Sequence, residues 1–96
     1  MNRQQALTIL TRVKPELMRR FGVTRLALFG STVRDEARAN SDVDILVSFD
    51  GPATSRVYFG VRFYLEDELG CPVDLVTEKA MRAELRPYIE QEAIYV

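Results

Sequence analysis

Ninety-six residues with a hydrophobic fraction of 47% can build one small core, so the chain reads as a single domain over residues 1–96. A formal net charge of -1 argues against a dedicated nucleic-acid binder, which usually carries a clear basic excess. With no histidine and a single cysteine, Cys71, the chain has no internal disulfide, no Ser-His or Cys-His mechanism and no His-ligated metal site.

From Asn2 to Arg20, Leu7, Leu10, Val13, Leu17 and Phe21 recur at helical steps. Pro15 falls inside that pattern, where proline is costly, so two short helices or one kinked helix meeting near Lys14 are predicted, stopped at Gly22. Thr24 to Phe29 is an ungapped apolar run and predicts a strand buried on both faces. Gly30-Ser31 breaks it, Thr32 to Ala37 can form a brief helix, and Arg38 to Ser41 is polar and loop-like. Val43 to Phe49, rich in β-branched residues, predicts a second strand, closed by an Asp50-Gly51-Pro52 turn.

Ser55 to Leu69 places Val57, Val61, Tyr64, Leu65 and Leu69 on one helical face, with Ser55 as N-cap, Gly60 as a mild cost and Gly70 as the stop. Pro72 to Val76 predicts a third strand, Lys79 to Glu92 a last helix, and Ile94 to Val96 an extended apolar tail. The sum is a small α/β (α+β) layer structure, about three strands packed with helices. No apolar run approaches a membrane span, and with no signal peptide the expected setting is the reducing cytoplasm. Cys71 reads as a buried structural thiol.

Three acidic residues sit where apolar ones are expected. Asp42 and Asp44 open the second strand, and residues two apart on a strand project to the same face. Such a pair repels itself, and each carboxylate raises the other's pKa unless cations lie between them. Asp74 stands between Val73 and Leu75 in the third strand. If the two strands are neighbours, three carboxylates converge, and an all-oxygen donor set favours Mg²⁺ or Mn²⁺. Gly30-Ser31, between a strand and a helical turn, offers free N–H groups, a hydroxyl and room for close approach by a phosphate. Arg34 can reach a phosphate or pair with Asp35 or Glu36.

Gly30-Ser31, ten further residues and then Asp42-x-Asp44 resembles the nucleotidyltransferase superfamily typified by DNA polymerase beta. The segment LFGSTVRDEARANSDVDILV, the PVDLV strand bearing Asp74 and the RPYIEQEAIYV end together resemble the minimal nucleotidyltransferase (MNT) family over essentially the whole chain. That resemblance implies a polymerase beta-like core, with Gly30, Ser31 and Arg34 on the nucleotide and Asp42, Asp44 and Asp74 as catalytic metal ligands for two Mg²⁺ ions. It further implies the antitoxin of a type VII-like toxin–antitoxin pair, moving AMP from ATP to a tyrosine of a HEPN-domain toxin partner. Position 35 departs from the family, which often has glycine after the arginine, whereas this chain has Asp35. The competing expectation is a non-catalytic antitoxin that neutralises its toxin by stoichiometric binding.

Overall fold

The computed structural model describes residues 1–36 and 41–96. The expected helix end at Ala37 and most of the expected loop from Arg38 lie outside the described residues. Helix α1 (Arg3–Phe21) is followed by strand β1 (Val23–Phe29), a 3-10 turn (Gly30–Thr32), β2 (Val43–Phe49), α2 (Ser55–Leu69) and β3 (Val73–Thr77). A second 3-10 turn (Glu78–Ala80), α3 (Arg86–Glu92) and β4 (Ile94–Tyr95) complete the order.

The sheet is four-stranded and mixed, in the order β3-β2-β1-β4. β1 runs antiparallel to β2 and to β4, whereas β2 and β3 are parallel with α2 as their crossover. The apolar tail expected at the end is thus a fourth strand: Ile94 pairs with Leu28 and Tyr95 with Ala27 along the edge of β1.

The N-terminal pattern forms one helix rather than two. Asn2 accepts from the Gln5 N–H while the Gln5 side chain accepts from the Asn2 N–H, a reciprocal box that satisfies the first orphan donors. Pro15 is exposed, as is Thr11 one turn earlier, so the carbonyl that proline leaves without a donor faces water rather than the core. Ala6, Leu10, Val13 and Leu17 pack inward without interruption, and Gly22 ends the helix at φ 71°. In α2 the N-cap is Thr54, not Ser55: its hydroxyl accepts from the Val57 N–H. Gly60 has a packing reason, because a Cβ there would come within 2.5 Å of the Phe21 ring.

The helix expected over Lys79 to Glu92 is shorter. Met81 is extended at ψ 130° and drops its side chain onto the sheet, and α3 starts only at Arg86, with Pro87 in its first turn. Cys71 is half-buried rather than sealed in the core, and its thiol is pushed up by desolvation. Among the described residues no helix is long and apolar enough to cross a membrane.

The sheet has two unlike faces. On one, Leu26, Leu28, Val43, Ile45, Val47, Val73 and Leu75 join the inward residues of α1 and α2 in the main core. On the other, Ala27, Leu46 and Met81 form a small buried cluster among the described residues, with Phe29, Val76, Ile89 and Ala93 against them. Strand alternation sends Asp44 and Asp74 to this second, thinly covered face.

Candidate active site

The parallel register sets Asp44 directly opposite Asp74, and the antiparallel register sets Asp44 opposite Phe29, the residue before Gly30. Asp44 is therefore the centre of the arrangement. Its carboxyl is half-buried and pushed up to about 6, first by desolvation, then by the charge of Asp74 and a hydrogen bond shared with it, and then by the charge of Asp42. Asp74 is exposed at the rim, and Asp42 lies exposed one residue before β2 begins. Among the described residues no three carboxylates stand close enough together to hold a metal ion as they are, so the assembled unit is the Asp44–Asp74 pair with Asp42 at its margin.

The glycine turn abuts that pair. Gly30 adopts φ 76°, and a Cβ there would strike an Asp44 carboxylate oxygen and lie 2.9 Å from Asp44 Cγ. Both the left-handed backbone and the close approach require glycine. The Gly30 carbonyl accepts from the Val33 N–H at 3.1 Å, closing the turn that carries the half-buried Ser31. The brief helix expected from Thr32 is only this single 3-10 turn.

Arg34 is exposed and committed to carboxylates. Its Nη1 donates to Glu92 Oε2 at 2.7 Å and its Nε to Glu36 Oε2 at 3.3 Å, which keep the guanidinium firmly protonated. Glu92 was not a candidate from the sequence, yet its other oxygen, Oε1, accepts from the Gly30 N–H at 2.9 Å. No pattern marks it there: it is one of two acids in α3, and only the fold brings it to Gly30, 62 positions away.

Asp35 also finds its reason here. It adopts φ 55°, the left-handed region in which glycine is at ease and aspartate is among the better-tolerated alternatives. Its carboxylate accepts from the Arg3 N–H at 2.9 Å, giving α1 the negative charge its own first turn lacks. The departure from glycine thus ties the loop to the start of α1.

The donor set fits a hard divalent cation. Asp44 and Asp74 stand opposite one another in register and offer carboxylate oxygens alone, with no histidine or thiolate in the cluster.

Comparison with known proteins extends the geometry. The family profile described as a nucleotidyltransferase domain matches residues 10–96. The protein adenylyltransferase MntA of Thermococcus cleftensis is 42% identical over 89 residues, covering 93% of this chain and 90% of that protein. A solved structure assigned as a minimal nucleotidyltransferase superposes with a TM-score of 0.83 at 35% identity, covering 98% of this chain and 95% of the other. A tri-AMPylated HEPN toxin from Shewanella oneidensis in complex with an MNT antitoxin gives a TM-score of 0.66 at 18% identity, over 94% of this chain and 70% of the matched one, a likeness of fold alone.

Proposed function

The chain belongs to the nucleotidyltransferase domain family, and from that premise we propose that residues 1–96 act as one minimal transferase moving AMP from ATP to a hydroxyl of a protein partner. The observation that carries this reading is the carboxylate pair Asp44–Asp74 seated against the Gly30 turn, so that the residues assigned here to cation and to phosphate are neighbours. The name of the Thermococcus relative supports adenylyl transfer to protein. The fold shared with the antitoxin of the AMPylated complex supports a HEPN-domain toxin as partner, and the family resemblance supports a tyrosine of that toxin as acceptor.

In this reading the turn at Gly30-Ser31 receives the phosphates through its N–H groups and the Ser31 hydroxyl, and Arg34 adds charge-assisted contacts. Asp42 and Asp44 would hold the triphosphate's cation, and Asp74 would contribute to holding a second. Mg²⁺, when bound there, would offset the charge of acids and phosphates and would lower the pKa of the attacking hydroxyl. Asp74, exposed at the rim, accepts the acceptor's proton. A bond forms between the acceptor oxygen and the α-phosphorus, the bond from that phosphorus to the bridging oxygen breaks, and pyrophosphate leaves.

The test is the mass of a HEPN-fold partner after incubation with the chain, ATP and Mg²⁺. An added AMP that disappears in Asp44→Ala and Asp42→Ala is expected; modification surviving both substitutions overturns the proposal. A second reading, stoichiometric neutralisation without chemistry, draws on the exposed, stacked Phe59 and Phe63 on α2, whose ring centroids are 6.1 Å apart. It predicts that Asp44→Ala still neutralises the toxin.

A further inference from the structure

Glu92 holds the two groups that the transferase reading assigns to phosphate. One carboxylate oxygen takes the Gly30 N–H at 2.9 Å and the other takes Arg34 Nη1 at 2.7 Å. A carboxylate bridging a turn N–H and a guanidinium reproduces the way a phosphate uses the same donors. We propose that Glu92 is a built-in competitor for the triphosphate, occupying the phosphate seat until nucleotide displaces it. The inference rests on the transferase reading and adds a regulation of the same site.

Charge makes the two occupants exclusive. Asp44 already presses on the Gly30 turn from the side of its Cα, and a cation can offset its charge. Glu92 lies on the N–H side, and its hydrogen-bonding partners are the very donors a phosphate would take. A triphosphate that took the Gly30 N–H and Arg34 would leave Glu92 beside it as an unpaired like charge, which the site disfavours. The side chain can leave: it is the last residue of α3, and 29% of it is exposed to water.

The measurement is calorimetric titration of inorganic triphosphate, and separately of Mg²⁺-ATP, into the wild-type chain, Glu92→Gln and Glu92→Ala. Both variants should bind about tenfold more tightly than wild type, the effect of removing a charge-assisted competitor. Gln keeps the size of the side chain, and the thermal midpoint of each variant shows that it is folded. Variants that bind while wild type does not give the same answer. A wild type that binds, with variants that bind equally or more weakly, overturns the competitor role and makes Glu92 a support for the turn, while the transferase reading stands. Absence of binding by all three chains overturns both.

Discussion

The two faces of the sheet obey different rules. The face under α1 and α2 is closed, apolar and continuous, with Leu10, Leu17, Leu26, Leu28, Ile45 and Leu65 fully buried. The face under α3 has a small buried cluster of Ala27, Leu46 and Met81, two aspartates opposite one another and a glycine in a left-handed turn. Burial and pairing agree on the first face and conflict on the second, where a carboxyl is held half-buried beside another at a cost in stability. Local rules broken at one place in an otherwise consistent fold mark where stability has been given up for chemistry.

Substitutions should separate the two faces. The largest effect is expected for Asp44→Ala: AMP transfer falls by about 1,000-fold, comparable with losing a group that stabilises the reacting charges, while the thermal midpoint of the metal-free chain rises. A fall in both would erase the distinction between the faces. Next comes Leu10→Ala on the closed face, expected to cost about 3 kcal/mol in denaturant unfolding, with activity per folded molecule little changed.

The third prediction sharpens the conflict at Asp44 through pH. Its folded-state pKa of about 6 lies above the ordinary 3.8, so the folded chain retains a proton there that the unfolded chain releases. That contribution to stability is fully present below about pH 4 and is lost as pH rises through about 6. Stability of metal-free Asp44→Asn relative to wild type should therefore grow between those values and level off above them. A difference that is flat with pH would mean that Asp44 is not strained.

The smallest effect is expected at Asp35, which ties the turn after Gly30 to the start of α1. Asp35→Gly relieves the left-handed backbone but loses the contact with the Arg3 N–H, for a net change within about 0.5 kcal/mol. Asp35→Ala loses the contact without relief and should cost about 1 kcal/mol. Equal costs for the two would remove the backbone argument.

Legibility in the sequence followed the same division. The Val43–Phe49 strand and the Ser55–Leu69 helix lie where periodicity places them, because each buries a stripe in the closed core. Asp44 and Asp74 stood out because a carboxylate in an apolar strand breaks a local rule. What stayed hidden depended on contacts distant in sequence. Ile94 and Tyr95 become a strand only because β1 offers an edge, α3 begins late because Met81 is drawn onto the sheet, and α1 passes through Pro15 because that side of the helix faces water. Glu92 carried no signal, since an acid near a helix end is ordinary until a glycine N–H and an arginine are found against it.

The central claim is that Asp44 and Asp74 form a cation seat beside the glycine turn. It is tested most directly by titrating Mn²⁺ into the metal-free chain near pH 6, in two buffers of different ionisation enthalpy, to count the protons released. Binding accompanied by proton release in wild type, with both lost in Asp44→Asn, is the predicted result. Mn²⁺ binding that releases no proton, or that persists unchanged in Asp44→Asn, would contradict it.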